Sequence, residues 1–444
     1  MKKNISQNKG GGKEKIQKVT EEFTGKNLTR FGGVGLIRRF FKRHKVGEHL
    51  GNIIYQEGRR ESKYGKTMFL HILYGMFLGQ SRPYHMGVFS SDKVFQQAAG
   101  FIGFPVQSTI SRFLSALRVK AAHRIAEINF SFLMKFRKNF KGLKSITLDL
   151  DSHVTSVYGK QQRAGLGYNP KKKGRKSYHP LLCFIGETRD YIGGVFRSGE
   201  RHTSFGAIRF LKSILKKLPS HIEKIRFRAD SGFFNLDMLK FLDKNHMEFY
   251  VVLPLQPWVQ KKILFMGAWQ KIGSRTDVSE CEFVVAKDLI FRMVVVRKKI
   301  GQKESPKKQL KLLHAKEIVY DYQVIVTNST LDSEAVWQFY NQRACCENFI
   351  KEGIYGFGLD KIVSHSYAGN YAYFELLMLG YNLMNFFKEE VLDQKKKKDM
   401  AQTIRERLFL IPGRLIRSSG KLILKLERTW FFKDDYEKAL AKVV

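Results

Sequence analysis

Apolar and polar positions divide the chain into three textures. From Gly33 to about Asn139 apolar residues recur at helical spacing with few β-branched clusters, which predicts a helical module. Within it, Pro105 is followed by Val-Gln-Ser-Thr-Ile-Ser-Arg-Phe-Leu-Ser-Ala-Leu-Arg, read as a turn, a cap at Ser108 and a helix. Ile110, Phe113, Leu114 and Leu117 share one face, and Arg112 lies outside it with Ser111, Ser115 and Arg118. Short polar residues and arginines on the open face of such a helix suit a helix-turn-helix recognition element, with Arg112 toward DNA. An ordinary amphipathic helix accounts for the stretch equally well.

At Lys144 the period changes. Ser145 to Asp151 alternates as a strand, and Leu181 to Gly186 and Tyr191 to Phe196 make two more around a turn at Glu187 to Asp190. A helix is expected from about Phe205 to Leu218, a strand from Lys224 to Asp230, a helix from about Asn235 to Asn245 and a strand from Phe249 to Leu253. Three strands, a helix, a strand and a helix is the opening order of an α/β RNase H-like core, a mixed sheet flanked by helices. Strand pattern then dominates from Val278 to Thr327, and helix returns at Asp332 and runs to about Lys388. The expected organisation is a basic flexible arm (1–30), a helical DNA-binding domain (31–140), an α/β core (141–253 and 329–390) interrupted by a strand-rich segment (254–328), and a basic helical C-terminal tail (391–444).

Charge narrows the function. The 444 residues carry 79 Lys and Arg against 40 Asp and Glu, a formal net charge of +39. Such an excess repels itself unless a polyanion is near. The longest apolar stretches, Met68 to Gly79 and Leu376 to Phe387, fall short of the roughly 20 residues a membrane span needs. No signal-peptide core opens the chain. Cys183, Cys281, Cys345 and Cys346 lack metal-ligand spacing and read as reduced thiols of a cytoplasmic protein. Nucleic acid is therefore the expected partner.

Within this basic chain three acidic features stand out. Strand alternation places Asp149 and Asp151 on one face of Leu148-Asp-Leu-Asp-Ser152 and the leucines on the other. The strand Lys224 to Asp230 points Arg226, Arg228 and Asp230 one way and Ile225, Phe227 and Ala229 the other. Strand-end carboxylates are suitable ligands for a hard cation such as Mg²⁺, although for either motif alone an ordinary strand-end Asp is the simpler reading. In Tyr340-Asn-Gln-Arg343-Ala-Cys-Cys-Glu347-Asn-Phe-Ile-Lys351 the functional groups recur at i, i+3, i+7 and i+11, within about 80° of arc on one helix. A solvated face can mix charges this way equally well; alternatively, Arg can clamp a phosphate bidentately while Glu faces a metal. A basic segment, Lys171, Lys172, Lys173, Arg175 and Lys176 interleaved with Tyr168, Tyr178 and His179, suits DNA held through phosphate contacts and aromatic platforms.

These motifs, in order, resemble DDE transposases of bacterial insertion sequences, in the group with a Y-R-E-K signature and nearest its thirteen-eighty branch. The resemblance runs from Leu148-Asp-Leu-Asp151-Ser and Val157-Tyr-Gly, through Gly167-Tyr-Asn-Pro-Lys-Lys-Lys-Gly-Arg-Lys-Ser-Tyr-His-Pro-Leu-Leu182 and Arg228-Ala-Asp230-Ser-Gly-Phe, to Tyr340-Asn-Gln-Arg343 and Glu347-x-x-Ile-Lys351-Glu. It covers about 145–385, with a later Ile411-Pro-Gly-Arg element. It implies that 141–253 and 329–390 form the catalytic core, that 254–328 is a β-strand insertion domain, and that Asp151, Asp230 and Glu347 hold two Mg²⁺ ions (Mn²⁺ substituting) for hydrolysis and strand transfer at phosphodiesters. Asp151 is the member chosen because the family's acid precedes a small or hydroxyl residue, here Ser152, although His153 stands where Thr is usual. Tyr340 and Arg343 would meet DNA phosphate, and Lys351 would replace the signature Lys, whose usual place is Ile354. The implied protein is a cut-and-paste DNA transposase of a bacterial nucleoid, working as a homodimer that pairs terminal inverted repeats and joins them to target DNA. The competing readings are an RNase H-like nuclease without strand transfer and a non-catalytic DNA-binding derivative.

Overall fold

A computed structural model describes residues 20–56, 64–169, 172–287, 289–300, 312–314 and 318–443. Most of the basic arm, residues 1–19, and Lys171 lie outside the described residues. A short strand, β1 (Leu28–Thr29), precedes eight helices: α1 (Val34–Arg43), α2 (Val46–Gln56), α3 (Met68–Phe77), α4 (Val88–Ser91), α5 (Lys93–Ala99), α6 (Gln107–Ser115), α7 (Val119–Phe136) and α8 (Lys138–Lys141). Helix α6 starts one residue before Ser108, without a side-chain cap. Its Ile110, Leu114 and the following Leu117 are buried as the pattern requires.

The second part opens with β2 (Ser145–Ser152), β3 (Thr155–Ser156), β4 (Ser177–Tyr178), β5 (Leu181–Ile185), β6 (Tyr191–Val195) and α9 (Ala207–Leu215). It continues through β7 (Lys224–Ala229), α10 (Leu236–Lys244), β8 (Glu248–Val252) and α11 (Pro257–Leu264). Five of these strands lie in the order β6-β5-β2-β7-β8. β2, β7 and β8 run parallel, and β5 is antiparallel to both of its neighbours, β2 and β6. The structure is thus α/β, with a large mixed sheet flanked by helices.

The strand-rich stretch does not form a sheet of its own. β9 (Gln270–Gly273), β10 (Thr276–Ala286), β11 (Leu289–Ile300), β12 (Leu312–His314) and β13 (Ile318–Thr327) continue the same sheet. The join is made where Ile325–Thr327 pair antiparallel with Tyr250–Val252 of β8. A free strand edge presents unpaired amides and carbonyls, and β13 covers that edge.

Three helices follow: α12 (Ser333–Asn341), α13 (Ala344–Glu352) and α14 (Tyr367–Val391). The single helix expected from Asp332 to Lys388 is therefore broken twice, at Gln342–Arg343 and after Glu352. Gly353 and Gly356 lie in a widened turn and Gly358 takes φ +77° beyond it, a run of glycines poorly suited to helix. Every residue from Gly369 to Met384 is buried, as expected of a mostly apolar helix enclosed on all sides. A Cβ on Gly369 would stand 2.4 Å from the Leu114 carbonyl oxygen, so close approach to α6 requires glycine there. One apolar core joins α1–α7, α13, α14 and the inner face of β5 and β6; a second fills the opposite face of the sheet beneath α9, α10 and α11.

The C-terminal segment differs from the helical tail expected. After α15 (Ala401–Ile404), β14 (Gly413–Ser418) and β15 (Lys421–Leu426) form a hairpin paired to β1, and only then does α16 (Lys433–Val443) begin. Leucines and isoleucines spaced for strands flank Ser419–Gly420, both at positive φ (+47° and +75°), which is the backbone a two-residue hairpin turn demands.

One buried acid on α14 makes the core sensitive to pH. Glu375 is fully buried and accepts hydrogen bonds from the Tyr191 hydroxyl at 3.3 and 3.4 Å. Burial pushes its carboxyl up to about 8 from the ordinary 4.5. The folded chain keeps this proton where the unfolded chain releases it, so stability declines as pH rises from about 4.5 to about 8 and levels off above. Glu375→Gln should flatten that decline in thermal unfolding between about pH 5 and 9; equal slopes for variant and wild type would contradict the buried, protonated carboxyl.

Candidate active site

The faces of β2 and β7 fall as alternation predicts. Ile146, Leu148 and Leu150, with Phe227 and Ala229, lie in the core under α9 and α10, and the aspartates face α12 and α13. Register then separates the two aspartates of β2. Asp149 stands opposite Arg228 in the parallel pair, and the guanidinium grips its carboxylate with both Nε (2.6 Å) and Nη2 (2.8 Å). Asp149 is fully buried and Arg228 3% exposed. Burial raises the Asp149 carboxyl and the Arg228 hydrogen bonds oppose it.

Asp151 and Asp230 stand at the ends of these neighbouring strands and converge on a third element. The Arg343 Nη2 lies 3.3 Å from Asp151 Oδ2, 3.8 Å from Asp230 Oδ2 and 3.2 Å from the Leu150 carbonyl oxygen. Arg343 Nε is buried without a hydrogen-bond partner, at a cost of about 1–3 kcal/mol. Burial pushes the Asp151 carboxyl up to about 6; Arg343 pulls it down, while Asp230 and Glu347 push it up further. Asp230 also caps the turn Ser231–Phe233, its Oδ1 accepting from the Gly232 amide at 3.0 Å.

The break between α12 and α13 explains how the signature residues divide. They do not form one exposed stripe. Tyr340 is 7% exposed and packs with Tyr250, Val294, Ile325 and Val336. Its hydroxyl is pushed up to about 12, by burial first and then by Asp230 and Asp151, with Arg343 opposing. Arg343 turns inward at the break, whereas Glu347 and Lys351 are exposed on α13, 3.9 Å apart. Cys346, Phe349 and Ile350 are the residues that seat α13 in the core.

Among the described residues no three acidic, histidine or cysteine side chains are close enough to ligate one ion together. The donor chemistry nonetheless fits a divalent cation. Two carboxylates reach one cationic atom, and Glu347, one turn beyond Arg343, is near enough for its charge to act on Asp151. All three are hard oxygen donors.

The basic loop hangs between β3 and β4, which pair with each other just beyond the end of β2. Lys172 and Arg175 lie over the ring of Tyr158, at 5.1 and 4.7 Å from its centroid. Lys173, Arg175 and Lys176 line a groove of about 320 Å³ with Tyr158. Tyr178 and His179 are buried (0% and 3% exposed), so they are not base platforms; the exposed aromatics here are Tyr158 and Tyr168. Arg112 belongs to the helical module, exposed on α6, with Nε 3.4 Å from the Ser108 carbonyl oxygen. The Asp149–Arg228 pairing escaped the sequence pattern because strand register is a long-range property, although both residues sit two positions before a candidate acid.

The sequence profile of the family described as Transposase DDE domain group 1 matches residues 12–444. Among curated proteins no relative matches. A similar solved structure is the piggyBac transposase synaptic complex with hairpin DNA, 12% identical over 86% of this chain and 80% of that chain, with a TM-score of 0.45.

The two aspartates of β2 should respond oppositely to neutralisation. Asp149→Asn leaves Arg228 buried without its counter-charge, with an expected loss of about 3–5 kcal/mol in denaturant unfolding. Asp151→Asn, measured in a metal chelator at pH 7, removes a carboxylate whose ionised form the fold disfavours; stability should hold or rise. The reverse ranking would contradict the division of roles.

Proposed function

The chain belongs to the transposases with a DDE domain of group 1 and is a DNA transposase, and from that premise we propose that Asp151, Asp230 and Glu347 are its catalytic carboxylates. The family's chemistry uses divalent metal ions. The observation that carries the assignment is the convergence of Asp151 and Asp230 on a single cationic atom while Asp149 is closed off by Arg228. The strand order β6-β5-β2-β7-β8, with only β5 antiparallel to the rest, supports reading the core as RNase H-like. Residues 31–140 are read as the end-recognition domain, with Arg112 facing DNA.

Asp151 and Asp230 would hold Mg²⁺ on rigid strand ends, and Glu347 would complete the set by turning from Lys351. Two such ions, when bound, supply Lewis acidity at the phosphate and an acidified nucleophilic water or 3′-hydroxyl. Were the carboxylates held by metal, the Arg343 guanidinium would be free to clamp the phosphate bidentately. Tyr340, held rigidly in the core, keeps its proton at neutral pH and offers a hydrogen-bond donor beside it. Lys172, Lys173, Arg175 and Lys176, with Lys171, would track the strand backbone toward this point, and Lys351 would contact phosphate on the exposed side of α13. Pairing of two inverted-repeat ends by a homodimer, followed by joining to target DNA, completes the cut-and-paste reading.

The test is Mg²⁺-dependent cleavage and joining of the element's own terminal repeats. Glu347→Ala should lower cleavage by more than the roughly 10–100-fold typical of residues that merely support a metal ligand. Cleavage at the wild-type rate would overturn the assignment, and cleavage without joining would point to a nuclease.

A further inference from the structure

His179 was expected among DNA-facing aromatics, yet every polar atom it has is tied inside the protein. Its amide donates to the Arg197 carbonyl at 2.9 Å, and its carbonyl accepts from Arg197 Nε at 2.8 Å. Nδ1 lies 3.1 Å from the Arg201 carbonyl oxygen and Nε2 2.9 Å from Ser152 Oγ. A carbonyl only accepts, so Nδ1 carries the proton. In the neutral ring Nε2 then accepts from the Ser152 hydroxyl.

Both ends of this link touch the candidate site. Ser152 directly follows Asp151, and its amide donates to Asp151 Oδ1 at 2.7 Å. On the other side, Arg197 Nη1 donates to the carbonyls of Thr203 and Phe205 at 2.9 and 2.6 Å, folding 197–205 into a ledge. That ledge presses on the turn capped by Asp230: a Cβ on Gly232 would stand 2.9 Å from Thr203 Cγ2. One rigid ring, donor on one side and acceptor on the other, thus spans from the strand end of Asp151 to the segment packed against Asp230.

We propose that His179 is a positioning residue for the transposase reaction, fixing Asp151 through Ser152 and the 197–205 segment through the Arg201 carbonyl. This inference rests on the reading of Asp151 as a metal ligand. It assigns to a buried imidazole, with Ser152, the part that outer partners of metal ligands commonly play.

The experiment uses the full-length protein with Ser152→Ala, His179→Ala, His179→Gln, the double Ser152→Ala/His179→Ala and Asp151→Asn. Two readouts are followed: steady-state cleavage of terminal-repeat DNA, and the Mn²⁺ concentration at half-maximal thermal stabilisation with no DNA present. Ser152→Ala and His179→Ala should each lower kcat by about 10–100-fold and raise the Mn²⁺ midpoint, with KM for DNA moving less than about threefold. The double variant should fall no further than the worse single one, because the Ser152 hydroxyl acts only through His179. His179→Gln, whose amide oxygen can accept from Ser152, should recover part of the loss. Should His179→Ala fail to fold, Ser152→Ala and His179→Gln decide the matter. An unchanged kcat and Mn²⁺ midpoint in Ser152→Ala would overturn the proposal, as would losses that multiply in the double variant or a change in KM alone. Asp151→Asn separates the levels: wild-type cleavage there refutes the ligand assignment itself, whereas a dead Asp151→Asn beside an unaffected Ser152→Ala refutes only the role of His179.

Discussion

Two carboxylates held side by side at the ends of adjacent strands repel each other unless a cation stands between them. β2 and β7 impose that situation, because their parallel register brings Asp149 level with Arg228 and carries the next facing positions on to Asp151 and Asp230. The first pairing is neutral overall and closed. The second is acid beside acid, and Arg343 reaches in from the break before α13 to bridge it. A continuous helix through 342–343 would carry its side chains along one stripe. The break instead lets Arg343 face the sheet while Glu347 stays at the surface.

The surrounding architecture keeps this arrangement stiff. The sheet is held on one face by α9, α10 and α11 and on the other by α12, α13 and α14. At its far end, Glu352 of α13 accepts from Lys388 Nζ of α14 and from the Ala401 amide, both at 3.0 Å, in a buried setting. Arg405, 1% exposed, donates to the carbonyls of Met76 and Phe77 at the end of α3 and lies 5.1 Å from the ring centroid of Phe357. The helical module and the helix bearing Glu347 thus share a packed core. Among the described residues no helix is long and apolar enough to cross a membrane, and the apolar run of α14 serves that core.

What was legible in the sequence is what depends on local period. Alternation placed Leu148, Asp149, Leu150 and Asp151 on their correct faces, and helical spacing identified the buried side of α6. What was hidden depends on contacts far apart in the chain. Pairing of β13 with β8 turns an expected separate insertion into a continuation of the sheet, and nothing within 254–328 states which edge it will meet. The break at 342–343 is invisible because the polar residues keep a helical phase on both sides of it. The burial of His179 is hidden for the same reason: beside lysines and tyrosines an imidazole reads as a surface group, and only the return of Arg197 and Arg201 over it reveals otherwise. Ser419–Gly420, by contrast, carried a local hairpin signal in a tail whose many lysines and arginines suggested a charged helix.

The most direct test of the central claim is a crystal structure of the protein with Mn²⁺ and its terminal-repeat DNA, with the metal located by anomalous scattering. The account predicts metal density bounded by the carboxylates of Asp151, Asp230 and Glu347, with Arg343 turned onto a DNA phosphate and Asp149 still gripped by Arg228. Metal bound at Asp149, or Arg343 still lodged between Asp151 and Asp230 with the metal elsewhere, would contradict it.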